Sequence, residues 1–249
     1  MKFIGVDLGW ISGPSGLCCL ALEGESLVLR SLDRKASFPE VLDWLAAIAP
    51  SPSPAIIAVD APTLIPNKTG MRLPERLIHQ HFRKYHAGCH PANLSRPFAA
   101  GLIQFARDLE TQGFVHAPTI QPRQLGRYQV EVFPHPATIQ LFKLSRILKY
   151  KRGRLADKVS ELNRLRTYIL TELPQHEPPL VVTALPTIPT AGKAMKAVED
   201  QLDSLLCAYI GAYWWYWGEK RNWVMGDYQH GYIVVPCPPH APVPVGDRP

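Results

Sequence analysis

The feature that most constrains this fold is an apolar segment at the start of the chain that ends in an acid. Residues 3–6 (Phe-Ile-Gly-Val) have the character of a buried strand, and Asp7 follows directly. Residues 56–59 (Ile-Ile-Ala-Val) repeat the pattern before Asp60. Ligands of open α/β sheets bind beyond the carboxyl ends of strands, so these acids predict a metal or phosphate site. A turn-forming aspartate that bonds local backbone is the alternative for either residue.

The rest of the chain alternates between strand-like and helix-like patterns. A Ser37–Glu40 capping box predicts a helix that stops at Pro50. Residues 63–125 are predicted to be helical and irregular. Alternating or periodic apolar residues predict further strands at 17–22, 27–32 and 128–133, helices at 138–144, 155–169 and 194–217, and a terminal hairpin at 223–235.

Length and composition indicate one large globular domain. The chain has 249 residues, of which 46% are hydrophobic and 19% charged. We predict a single domain over residues 1–235, with a helical insertion at about 63–125 and a disordered proline-rich tail at 236–249. No apolar run reaches membrane-spanning length, no signal peptide precedes the first strand, and the five cysteines have no disulfide or metal spacing. A cytoplasmic protein with no membrane partner is therefore expected.

Three more acids occur where they could join Asp7 and Asp60. Glu131 lies inside a predicted strand, and Asp200 and Asp203 lie three residues apart on one face of the last helix. Clustered carboxylates repel one another unless they share a cation, for which Mg²⁺ or Mn²⁺ is the usual choice. Two such ions about 4 Å apart can hydrolyse a phosphodiester bond. The five acids are therefore the candidate catalytic residues.

Each of the later acids also has a structural alternative. Glu131 could pair with Arg123 or Arg127 on the same face of the sheet. Asp200 and Asp203 could be solvated acids near a helix start, where the helix dipole favours them.

Positive charge indicates an anionic partner. The formal net charge is +6, and residues 149–154 (KYKRGR) contain four cations: Lys149, Lys151, Arg152 and Arg154. Such a run can contact nucleic-acid phosphates, although a solvated surface is the more ordinary interpretation. Nucleic acid, RNA or DNA, is therefore the expected partner, and a homodimer is left open.

Histidines add two further hypotheses. A stretch that contains His79, His81, His86, Cys89 and His90 could hold zinc, but its spacing matches no standard ligand set. His90 and His135 are candidate proton shuttles.

Several segments, in this order, resemble a known bacterial family. They are residues 5–7, 59–62, 130–136, 148–151, 199–209, 226–227 and 231–236. The family is domain of unknown function 429, whose members are regarded as nucleases with a ribonuclease H-like fold. The resemblance implies an α/β fold with a mixed five-stranded sheet flanked by helices, and a metal-dependent nuclease. It also implies Asp7 as the bridging ligand, Asp60 or Glu131 as the second, and Asp203 or Asp200 from the helix.

Two other functions remain open at this point. A non-catalytic nucleic-acid-binding or scaffold protein could keep the acids for structural reasons. An actin-like ATPase would share the opening Asp-x-Gly, but we find neither a second such strand nor a glycine-rich adenosine loop.

Overall fold

A computed structural model describes residues 1–11, 13–190 and 192–238. The described residues form six α-helices and nine strands. The helices are α1 (Phe38–Ile48), α2 (Leu73–Phe82), α3 (Ala99–Thr111), α4 (Pro134–Leu141), α5 (Leu155–Thr171) and α6 (Gly192–Trp217). The strands are β1 (Lys2–Asp7), β2 (Ser15–Glu23), β3 (Ser26–Lys35), β4 (Ala55–Val59), β5 (Val115–His116), β6 (Arg127–Glu131), β7 (Leu180–Val181), β8 (Asn222–Asp227) and β9 (Gly231–Pro236).

Seven of these strands form one mixed sheet in the order β5-β6-β4-β1-β2-β3-β7. β2 pairs antiparallel with both β1 and β3. All the other neighbours pair in parallel: β4 with β1, β6 with β4, β5 with β6 and β7 with β3. The predicted α/β class and the mixed sheet flanked by helices are confirmed. The predicted number of five strands is wrong, because β5 and β7 add one short strand at each edge. At two residues each, they are too short to leave a periodic signal in the sequence.

Strand alternation divides the core between the two faces of the sheet. Phe3 packs with α5 and α6 on one face, whereas Ile4 and Val6 pack with α1 and α3 on the other. The helix α1 begins with both halves of the predicted Ser37–Glu40 capping box.

The helix α6 lies directly against the middle of the sheet. A Cβ atom added to Gly5 of β1 would collide with the backbone of Ser204 and Ala208, and one added to Gly16 of β2 would collide with the carbonyl of Asp200. Both glycines are therefore needed for the close approach of this helix. Residues 205–216 of α6 are buried, including Trp214 and Trp215, which are core residues.

The parallel register brings three acids to one edge of the sheet. Val6 pairs with Val59, and Val59 pairs with Glu131. Asp7 therefore ends β1, Asp60 follows β4, and Glu131 ends β6. Glu131 is the last residue of its strand, not an interior one as the sequence pattern indicated.

The predicted terminal hairpin is present as β8 and β9, which pair antiparallel in a separate sheet. Pro236 is the last residue of β9, so the tail does not begin there, and residues 239–249 of the predicted tail lie outside the described residues. Cys18, Cys19 and Cys207 are free and buried. None of the helices in the described ranges has the length and apolar character needed to span a membrane.

The Gly5 contact gives a first prediction. Gly5→Ala should lower the free energy of unfolding by about 1–3 kcal/mol, because the new methyl group meets helix backbone that has to move. Gly101→Ala is the matched control, since the added Cβ lies 3.6 Å from a Phe38 side-chain atom and replaces glycine within α3. It should be neutral or stabilising in urea denaturation. Equal stability of the two variants would contradict the close approach of α6.

Candidate functional site

A cavity of about 730 Å³ lies at the carboxyl ends of β1, β4 and β6. Three parts of the chain form its wall: the strand ends, the basic segment that follows α4, and residues 72–90. The lining includes Asp7, Trp10, Asp60, Arg72, His86, His90, Glu131, His135, Lys149, Lys151 and Arg152. The fold thus places acids from the strand ends and cations from the other two parts around one space.

Asp7 and Asp60 are the acids without partners. Both are half-buried, and within the described ranges neither carboxylate accepts a hydrogen bond or forms an ion pair. Burial raises the pKa of Asp60 to about 7, against the opposing effect of Lys151. Burial also raises the pKa of Asp7 well above its usual value; Lys151 opposes this rise, and the acids Asp203, Asp60 and Asp200 add to it. Such carboxylates favour a proton or a metal ion beside them.

Asp203 is fully buried and is the acid that α6 brings to this cluster. The Tyr150 hydroxyl donates to its Oδ1 at 2.6 Å, and Nζ of Lys151 lies 2.9 Å from its Oδ2. This Oδ2 accepts no hydrogen bond of good geometry from the described residues. Burial alone would lower the pKa of Lys151, but Asp203, Tyr150, Asp7 and Asp60 raise it above the usual value. Lys151 is therefore a fixed positive charge among three acids.

Asp200, three residues earlier, is neutralised differently. It is buried, and its carboxylate lies 2.9 Å from Nε of Arg34 and 2.6 Å from Nζ of Lys196. Lys196 also contacts Glu199 at 2.7 Å. These cations satisfy Asp200 as part of the β3–α6 packing, so the two acids predicted on one helix face have different environments.

Glu131 also has a structural partner. Nη2 of Arg72 lies 2.6 Å from its Oε1, Nη1 lies 2.8 Å from its Oε2, and the amide of Thr63 donates to Oε2 at 3.2 Å. Nε of Arg72 also contacts Glu75 at 2.6 Å, and all three charged side chains are buried. The alternative partners considered from the sequence were wrong: Arg123 pairs with Glu25, and the guanidinium of Arg127 bonds backbone carbonyls.

The cations of the basic run at residues 149–154 do not all line the cavity. Lys149 and Arg152 line it, and neither side chain forms an ion pair with any described residue. Arg154 does not line it and instead pairs at 2.9 Å with Asp157 on the exposed side of α5. Only part of the predicted nucleic-acid surface therefore faces the acids.

The two candidate proton shuttles differ in environment. His135 lines the cavity, and its pKa is lowered to about 4, mainly by burial and also by Lys151. His90 lines the cavity from an exposed position. Elsewhere in the histidine-rich stretch, the His79 ring is within 2.9 Å of the Cys89 carbonyl oxygen.

No three His, Cys, Asp or Glu side chains in the described ranges form a ready-made metal-ligand group, for zinc or for any other ion. Mg²⁺, however, is commonly held by one or two carboxylates, several waters and the phosphates of a substrate. The oxygen-only pair of Asp7 and Asp60, with the Lys151-bound carboxylate of Asp203 close by, fits that kind of site.

Sequence reasoning missed three residues here. Arg72 carries no local signal, since its partner Glu131 is 59 residues away. Tyr150 appears in the sequence only as an interruption of a basic run. Trp10 follows the first Asp-x-Gly and could have been noticed for that position.

Comparison with known proteins places the chain in a family. The family model described as "Protein of unknown function (DUF429)" matches residues 5–229, so the chain belongs to this family. Neither the curated proteins nor the solved structures gave a significant match.

The buried Arg72 network gives a second prediction. Arg72→Met should destabilise the protein by about 3–5 kcal/mol, because Glu131 and Glu75 keep their burial and lose their cation. Urea denaturation measures this loss, with Arg76→Met, an exposed change in the same helix, as the control. Adding Glu131→Gln and Glu75→Gln to Arg72→Met should restore part of the stability. A similar small loss in both single variants would show that the network carries little stability.

Proposed function

We propose that this member of the DUF429 family is a metal-dependent nuclease that hydrolyses phosphodiester bonds. The observation that carries the proposal is the pair of carboxylates, Asp7 and Asp60, in a cavity that also presents the cations Lys149 and Arg152. None of these four side chains forms an ion pair within residues 1–11, 13–190 and 192–238. Acids that bind metal and cations that bind phosphate are the two components that such hydrolysis requires.

The connection of the strands supports the same proposal. Three antiparallel strands, a helix and a parallel strand follow one another, with acids at the end of β1, after β4 and on the last long helix. This is the arrangement on which the resemblance to ribonuclease H-like nucleases rests. Fold likeness supports the position of the site more strongly than the identity of the substrate.

Charge balance supports a divalent ion. Asp7, Asp60 and Asp203 carry three negative charges when ionised, and Lys151 supplies one positive charge. Asp7 and Asp60 would hold Mg²⁺ or Mn²⁺, and the carboxylate of Asp203 adds a third negative charge to the cluster. The bound ion would lower the pKa of a water and stabilise the leaving oxygen.

The chain's own residues have separate tasks in this scheme. Tyr150 and Lys151 orient Asp203 through its two oxygens. Lys149 and Arg152 bind the phosphate of the substrate. Because the pKa of His135 is about 4, its imidazole is unprotonated at neutral pH and can accept a proton but cannot supply one.

The third prediction tests the acids. Asp7→Asn and Asp60→Asn should each abolish Mg²⁺-dependent cleavage of labelled RNA or DNA and weaken the heat signal of Mn²⁺ titration. Asp43→Asn, an exposed acid on α1, is the control and should leave both unchanged. Without metal, Asp60→Asn should not lower the thermal midpoint, because it removes a half-buried acid beside like charges. Unchanged cleavage in the Asp7 and Asp60 variants would refute the proposal.

The fourth prediction separates the cations. Lys149→Gln and Arg152→Gln should each weaken nucleic-acid binding and reduce the slope of log K against log salt by about 1, because each removes one phosphate contact. Arg154→Gln should change neither quantity, since Arg154 is paired outside the cavity. Binding with a steep salt slope but no effect of Mg²⁺ or of Asp7→Asn would instead identify a non-catalytic nucleic-acid-binding protein.

A further inference from the structure

Part of the segment at residues 63–125 forms one wall of the candidate site. Several residues of this segment line the cavity: Arg72, Glu75, His86, Gly88, Cys89 and His90. The basic segment lines it as well. The two segments meet where the amide of Ile147 donates to the Tyr85 carbonyl at 3.0 Å. The acids thus lie in a cavity bounded by both segments, whereas a duplex substrate requires an open groove.

This wall is anchored to the sheet by buried charge. Arg72 joins α2 to the end of β6 through Glu131, and Glu75 accepts from the amide of Ala92 at 3.4 Å as well as from Arg72. Breaking such a network leaves a buried charge without a partner, which is costly. The wall is therefore part of the folded structure, and opening it would require loss of these contacts.

The size of the cavity limits what can reach the acids. Its volume of about 730 Å³ lies within the range of about 300–1,000 Å³ typical of sites that enclose a small-molecule ligand. A B-form duplex, whose major groove alone is about 12 Å wide, does not fit inside such a volume. One or two nucleotides of a single strand do.

Trp10 supplies a surface for a base. Its indole Nε1 donates to the backbone carbonyl of Asp60 at 3.2 Å, and its ring packs edge-on against Phe98 with centroids 4.8 Å apart. The indole is half-buried and lines the cavity beside the acids. A fixed aromatic ring next to a phosphate site suits a stacked base, at about 1–3 kcal/mol per base.

We infer that the site takes the last one or two nucleotides of a single strand, with a base stacked on Trp10 and the phosphodiester at Asp7 and Asp60. This inference rests on the proposed nuclease function and adds the substrate class. In the reaction, water oxygen forms a bond to phosphorus and the P–O ester bond breaks. One product keeps the phosphate, the leaving oxygen takes a proton to become a hydroxyl group, and the second proton of the water is released.

The test measures binding separately from cleavage. A fluorescent single-stranded phosphorothioate tetranucleotide is the anisotropy probe, with Mg²⁺ present. The unlabelled competitors are a dinucleotide, a linear single strand, a circular single strand of the same composition and a blunt duplex. The dinucleotide and the linear strand should displace the probe at least tenfold more effectively than the circle and the duplex. A circle has no end, so two segments of its chain would have to pass through the cavity opening together. Displacement by the dinucleotide and by the linear strand is compared at equal concentrations of strand ends. This comparison distinguishes a small free substrate from the terminus of a longer strand.

Trp10 is tested in the same assay. Trp10→Leu should weaken binding of the probe roughly 5- to 160-fold, the range that corresponds to one stacked base. Trp10→Tyr should keep most of the affinity. Trp44→Leu is the matched control, since Trp44 packs in the same side of the core but does not line the cavity, and it should bind normally.

The outcomes separate the two proposals. Binding of the dinucleotide and of linear ends, without cleavage in the presence of any metal ion tested, would support the limit on substrate size and refute the nuclease function. Binding or cutting of the circle or the duplex interior as readily as of linear ends would overturn the size limit and leave the nuclease standing. Failure of every nucleotide to displace or bind would overturn the inference.

Discussion

The close approach of α6 to the sheet is the constraint on which the rest of the structure depends. It requires positions in β1 and β2 without side chains, which Gly5 and Gly16 provide. The same contact buries a long run of aromatic and aliphatic residues of α6 and brings Asp203 into the neighbourhood of Asp7. A single packing requirement thus serves both the core and the candidate site, because the helix that fills the core also carries the third acid.

The five predicted acids differ in the cations that lie next to them in the folded chain. Glu131 has the buried guanidinium of Arg72, and Asp200 has Arg34 and Lys196. Among the described residues, the cation that acts on Asp7 and Asp60 is the more distant Lys151. Because an acid already paired with a guanidinium is held in place by the fold, this division is the basis for proposing Asp7 and Asp60, rather than Glu131 and Asp200, as metal ligands.

Local patterns predicted the parts of this protein that depend on local structure. The strand ends that carry Asp7 and Asp60, the capping box of α1 and the end of α6 at Trp217 follow from residues close in sequence. The partner of Glu131 did not, because Arg72 reaches it from a separate helix. The contact of Lys151 with Asp203 was missed for the same reason. A lysine of a basic run becomes buried only where the folded chain provides a buried acid, and this acid is distant in sequence. Nothing in the spacing of the run distinguishes Lys151 from Arg154.

The position of Asp203 within α6 affects how long the site persists. The helix is buried for most of its length, and such elements commonly open only when the whole molecule unfolds, whereas frayed loops open alone. An acid placed there is not withdrawn from the cluster by local fluctuation. The Asp203 carboxylate therefore keeps its place in the cluster until α6 itself unfolds, whereas its partners Tyr150 and Lys151 come from the irregular segment between α4 and α5.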